Sequence, residues 1–126
     1  MQDYGICGAR GWTIPGSDSF KADDLRLYER ELGRLELSAQ DMDRHLQGRD
    51  LVRVAMLHYP PVDKDGVVDP GFADVMQRYG ISLCLYGHLH SHAAAGAFNG
   101  VVGGTEYRLV SSDYMNFIPY KLNFRK

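Results

Sequence analysis

The sequence is short of several things, and each shortage removes a class of protein. Only two cysteines occur, Cys7 and Cys84. They form no Cys-x-x-Cys pair and are too few for the disulfide framework of a small secreted domain. A reducing cytoplasm is the expected setting, with Cys84, inside an apolar run, a small core residue. No apolar run approaches the roughly 18 residues that a membrane-spanning helix needs. Met1 is followed by Gln2-Asp3-Tyr4, without the basic and apolar stretches of a secretory leader. Neither sign of charge is in excess, the formal net charge being −2. A surface for nucleic acid or for an anionic membrane needs a basic patch, so neither partner is expected. Internal repeats and low-complexity tracts are also missing.

What is there reads as one α/β domain. The 126 residues are 44% hydrophobic and 24% charged, as in an ordinary globular chain. Gly5 to Gly16 is glycine-rich and predicts a short strand entering a long loop. A helix over about 20–47 follows. Asp18 or Ser19 is its expected N-cap, and Gly48 its stop. Leu25, Tyr28, Leu32, Leu35, Ala39, Met42 and Leu46 step by threes and fours along one face. That face suits a helix lying on a sheet better than a coiled-coil seam, for which it is too short.

Leu51–Leu57 is apolar almost throughout, like a strand covered on both faces, and Pro60-Pro61 ends it. Asp69-Pro70 opens a short helix with Phe72, Val75, Met76 and Tyr79 on its apolar side. Ile81–Tyr86 is a second buried strand, ending at Gly87-His88-Leu89-His90. Tyr107–Val110 and Tyr120–Phe124 are expected as terminal strands, within about 105–124, making the sheet mixed. Asn99-Gly100 is a turn signal ahead of them.

The histidines carry the chemistry. Two buried strands each end in a histidine-bearing loop, at 58–61 and 87–92, where open α/β sheets place their sites. The helix between them has the length of a crossover that makes the strands parallel neighbours. His58 and the His88/His90 pair then converge on one sheet edge. Neutral imidazole is a common metal ligand. Gly87 is expected to supply the tight bend of the second loop. His92 has no independent support, and His45 reads as a solvated residue near a helix end. Arg10, in its glycine-rich loop, is a candidate contact for a substrate phosphate. Trp12 and Tyr59 suit either a pocket wall or the edge of the core.

Met56-Leu57-His58-Tyr59-Pro60-Pro61 and Tyr86-Gly87-His88-Leu89-His90-Ser91 resemble the last two motifs of calcineurin-like metallophosphoesterases. Cys7-Gly8-Ala9-Arg10-Gly11-Trp12 and the helix around Tyr28–Leu32 are similar to the middle of such proteins, and the tail, Tyr107–Val110 and Tyr120–Phe124, resembles the family too, especially bacterial predicted phosphohydrolases. The resemblance covers nearly the whole chain. It implies the C-terminal half of a four-layer α/β/β/α sandwich with mixed sheets, the second sheet beginning after the Gly-His-x-His loop. It also implies that His58 and His88 bind one ion of a dinuclear centre (Mn, Fe or Zn) and His90 the other. Such a centre, its ions roughly 3.5–4 Å apart, hydrolyses phosphomonoesters or phosphodiesters.

The family's three earlier motifs, Asp-x-His, Gly-Asp-x-x-Asp and Gly-Asn-His-Asp/Glu, do not occur in the sequence. The resemblance therefore implies about half of a family domain, without the bridging carboxylate, and one bound ion rather than two. Such a half is expected to hydrolyse nothing alone, and to leave open strand edges and an uncovered apolar face. Dimerisation, or association with a separate N-terminal half, follows. Two other readings stand beside this one. The chain could be a non-catalytic metal-binding or interaction fragment. His88-Leu89-His90-Ser91-His92 also resembles the His-x-His-x-His signature of histidine-triad nucleotide hydrolases, although Ser91 takes a position usually apolar there and His58-Tyr59-Pro60-Pro61 goes unexplained.

Overall fold

The computed structural model describes residues 3–122. Five strands and three helices alternate: β1 (Tyr4–Ala9), α1 (Asp24–Leu46), β2 (Val52–Leu57), α2 (Pro70–Arg78), β3 (Leu83–Tyr86), α3 (Ser91–Ala95), β4 (Gly100–Val102) and β5 (Thr105–Leu109). The strands form one mixed sheet in the order β1-β2-β3-β5-β4. β1, β2, β3 and β5 are parallel, and β4 pairs antiparallel with β5. Gly103 and Gly104, both at positive φ, make the two-residue turn that joins β4 to β5.

Strand register sorts the side chains into two faces. Cys7, Ala55, Cys84 and Tyr107 form one row across the sheet, and all are buried. This face packs against α1 and α2 through Leu35, Ala39, Met42, Phe72, Val75 and Met76. Both helices lie on the same side, as right-handed crossovers that advance in one direction require. Gly5 faces α1 closely: a Cβ there would sit 2.8 Å from Leu46 Cδ1. The long helix is thus a cover for the sheet rather than a coiled-coil strand.

The opposite face carries the rows Ile6–Val54–Leu83 and Gly8–Met56–Leu85. Val54, Leu83 and Leu85 are buried, with Val110, Tyr120 and Leu122 packed against them. Ile6 and Met56 stay 56% and 49% exposed, so the cover stops short of β1 and the adjoining part of β2. The outer side of β1 pairs with no other strand among the described residues.

Several boundaries differ from expectation for local reasons. α1 starts at Asp24, not near Asp18 or Ser19, and its capping residue Asp23 makes no side-chain cap bond. Turns at Ser17–Phe20 and Lys21–Asp24 occupy the intervening chain. The Asp24 carboxylate accepts from Lys21 N and from Trp12 Nε1. Leu25, expected on the buried face, is 47% exposed, whereas Glu31 is buried. α2 begins as expected, with the Asp69 carboxylate accepting from Phe72 N and Pro70 in the first turn. β3 starts two residues after Ile81, because the Ile81 amide donates to Met76 at the end of α2.

The tail is the main correction. β5 does not open a second sheet; it lies beside β3 in the first one. Tyr120, Lys121 and Leu122 are not strand, and Asn123 and Phe124 fall outside the described residues. α3 and β4, unforeseen in the sequence, fill the stretch between the histidine loop and β5. No helix among the described residues is long and apolar enough to cross a membrane.

Candidate functional site

The parallel strands β1, β2, β3 and β5 all point their carboxyl ends to one edge, and the loops leaving them are tied together there. The Arg10 carbonyl, just past β1, accepts from both His58 N and Tyr59 N, at 3.0 and 2.9 Å. The His58 carbonyl in turn accepts from Gly87 N at 3.1 Å, at the end of β3. Three strand ends are therefore in register before any side chain is considered.

On this frame His58 and His88 meet. His58 Nε2 and His88 Nδ1 lie 3.2 Å apart. The Tyr59 ring lies beside both, 4.3 Å from the His88 ring and 5.1 Å from that of His58. Trp12 backs Tyr59 at 5.1 Å. His88 adopts φ +71°, a left-handed conformation that a residue with a Cβ rarely takes. Gly87, the expected site of the bend, has no such φ, so the strain falls on the histidine itself. Burial lowers the His88 pKa, and the neighbouring His58 and His90 lower it further. The neutral, lone-pair-bearing imidazole is thereby favoured.

The 3.2 Å separation is that of an imidazole–imidazole hydrogen bond, and it is also close to the spacing of two ligands on one ion. Two imidazole nitrogens bound tetrahedrally to one ion at about 2.0–2.1 Å lie about 3.3–3.4 Å apart. The pair fits two positions of a metal's coordination shell. It fits no more than that, since among the described residues no group of three or more His, Cys, Asp or Glu side chains is arranged to hold an ion.

His90 is placed differently. Its Nδ1 lies 2.7 Å from Asp113 Oδ1, while Asp113 Oδ2 accepts from Ser91 N at 2.9 Å. With Nδ1–H donating to the carboxylate, Nε2 is left as the ring's free lone pair, the arrangement usual behind a metal-bound histidine. Asp113 was not among the candidates from sequence. It follows β5, a fourth parallel strand, so a carboxylate just beyond that strand's end was the available signal. The Ser91 amide first, and then His90, hold the Asp113 carboxyl below the ordinary aspartate range.

Because that pKa is depressed, the tie between Asp113 and Ser91 is complete above the ordinary aspartate range and is lost as pH falls through the lowered value. An NMR titration of the Ser91 amide shift is expected to show a midpoint below about 3.9, the unperturbed aspartate value. Asp113→Asn is expected to abolish the transition. A midpoint at or above the ordinary value would contradict the bond.

The other candidates spread out. Arg10 directs its half-exposed guanidinium at Glu31, 3.8 Å away, and over the Trp12 ring. Its backbone carbonyl, rather than its charge, organises the histidine loops. Glu31 is flanked also by Arg30 and Arg34, at 3.7 and 2.9 Å. His45 Nδ1 pairs with the Asp41 carbonyl on the exposed side of α1, away from the site. His92, on α3, lines a cavity of about 490 Å³ that also reaches His88 and Tyr59. Comparison with protein-family models, with characterised proteins and with solved structures gave no match.

Proposed function

We propose that the chain supplies the metal-ligating half of a phosphoesterase site, His58 and His88 holding one divalent ion (Mn, Fe or Zn) and His90 reaching a second position. The observation that carries this reading is the His58–His88 nitrogen pair, 3.2 Å apart at the ends of adjacent parallel strands. A two-metal centre, when bound, supplies the water-derived nucleophile and the charge that clamps phosphate oxygens. The chain's own residues do the rest of what is assigned here. Tyr59 packs both imidazoles, Asp113 fixes the His90 ring, and Arg10, whose guanidinium faces Glu31 and Trp12, would turn from them to meet a phosphate oxygen.

The bridging carboxylate and the leaving-group histidine have no counterpart in the sequence, so the isolated chain is read as inactive. A four-layer sandwich would set its second sheet on the face where Ile6 and Met56 are exposed. That apolar strip and the open side of β1 support association with a separate N-terminal half or with a second copy. Cys7 and Cys84 are both buried free thiols, which suits a reducing cytoplasm. The missing motifs equally favour a non-catalytic metal-binding fragment, distinguished by failure of any added N-terminal half to restore hydrolysis.

The deciding experiment is metal stoichiometry by inductively coupled plasma mass spectrometry, with hydrolysis of a chromogenic phosphodiester measured on the same sample. About one ion per chain and no turnover are expected. A folded sample that binds no ion would refute the assignment.

A further inference from the structure

The cavity beside His88 is unaccounted for by metal ligation, and its walls say what it would accept. It has a volume of about 490 Å³, within the roughly 300–1,000 Å³ typical of small-molecule sites. Val62 and Tyr86 line it and are buried, while Tyr59, Leu89 and Phe98 line it half-buried. The charged and titratable lining residues Asp63, Lys64 and His92 are exposed. Its two fully buried lining residues, Val62 and Tyr86, are apolar and aromatic, while Thr13 and Ser17 add half-buried hydroxyls on one side.

The aromatic wall is built in advance. A Cβ on Gly66 would lie 2.7 Å from Phe98 Cε1, and one on Gly100 would lie 2.8 Å from Phe98 Cζ. The Phe98 ring thus occupies the space that two glycines leave open. The Tyr86 hydroxyl, rising from β3, donates to the Phe98 carbonyl and holds the same segment. A preformed wall costs little ordering when a ligand arrives.

We propose that this cavity binds the aromatic leaving group of an aryl phosphate ester whose phosphate lies at His88. The proposal rests on the phosphoesterase reading and narrows its substrate class. Hydrolysis of such an ester breaks the P–O bond to the aryl oxygen and forms a P–O bond to water. One water proton passes to the departing aryl oxygen, giving an aryl alcohol and inorganic phosphate. A flat ring suits the cavity because Tyr59, Tyr86 and Phe98 are among the residues that line it. A sugar or glycerol group would leave its hydroxyls against apolar walls.

Isothermal titration of the full chain with Mn²⁺ present tests this without requiring turnover. 2-Naphthyl phosphate is expected to bind at least tenfold more tightly than inorganic phosphate or glycerol phosphate. Ala93→Trp fills the cavity from an exposed helix position, so the fold should persist, as circular dichroism would verify. It is expected to remove the naphthyl advantage while leaving phosphate affinity and metal stoichiometry unchanged. Equal binding of naphthyl phosphate and phosphate, or an advantage that survives Ala93→Trp, would overturn the proposal. 2-Naphthol separates this failure from that of the metal reading. Saturable, metal-independent naphthol binding that Ala93→Trp removes supports the aryl cavity even if no Mn²⁺ is retained. Failure of naphthol to bind while Mn²⁺ is retained counts against the cavity alone.

Discussion

Replacing His58 and His88 together by alanine is expected to lower the affinity for Mn²⁺ or Zn²⁺ by more than a hundredfold, measured by metal titration and by ion content after dialysis. The two nitrogens already stand 3.2 Å apart, so an ion pays little to arrange them, and removing both leaves only His90 on its Asp113 anchor. Both side chains are exposed, so the double variant should still fold. Only neutral imidazole ligates, and partial desolvation by the surrounding loops, with His58 and His90 nearby, lowers the His88 pKa. Affinity should therefore decline as pH falls through the imidazole range, His88 resisting protonation to a lower pH than an ordinary imidazole. His88→Gly separates ligation from folding. At φ +71° glycine relieves a backbone cost of order 1 kcal/mol, so this variant should bind metal poorly yet unfold no more readily than the parent. A double variant that retains its ion would end the His58–His88 assignment.

Phe72→Ala is expected to destabilise the fold by about 3–5 kcal/mol, the usual loss for a fully buried aromatic ring. Phe72 is 1% exposed and meets the Tyr28 ring edge-on at 5.9 Å, joining α2 to α1 over the sheet. Its amide also donates to the Asp69 carboxylate that caps α2, and the same carboxylate accepts from the Tyr28 hydroxyl. A cavity here would loosen the one helix that connects β2 to β3, and hence the two strands that carry His58 and His88. Small domains lose roughly 1–3 kcal/mol per molar urea, so the midpoint should fall by about 2 M or the chain should be unfolded outright. Leu37→Ala, at a position 65% exposed, is the control and should change stability by no more than about 0.5 kcal/mol. A midpoint for Phe72→Ala within that same margin would show that the α1–α2 seam does not hold the fold.

Much of this arrangement could be read from the chain. The three- and four-residue steps of α1, the apolar runs at β2 and β3, and the Asp69-Pro70 start are strong local signals, and packing agreed with them. Convergence of His58 with His88 followed from topology alone, since a helix of that length between two buried strands makes them parallel neighbours. What was missed depended on contacts distant in sequence. Glu31 interrupts an apolar face, and the arginines that flank it include Arg10, from the loop after β1. Asp113 gains its role only because β5 returns to lie beside β3. Tyr107–Val110 carried a correct strand signal, but propensity does not say which sheet a strand joins. The strained φ at His88 had no signature, since glycine stood one residue earlier and drew the expectation of a bend to itself.

The position of β3 has a dynamic consequence. It is the middle strand, flanked by parallel partners on both sides and buried along its whole length. Its amides should belong to the slowest-exchanging unit of the protein, opening only when the sheet opens as a whole. His88 is two residues beyond this strand, and His58 is one residue beyond its neighbour β2. These two exposed imidazoles thus stand directly beside the part of the chain expected to fluctuate least. His90 caps the short α3 and is tied back by one carboxylate, so it can detach in a local opening that leaves the other two in place.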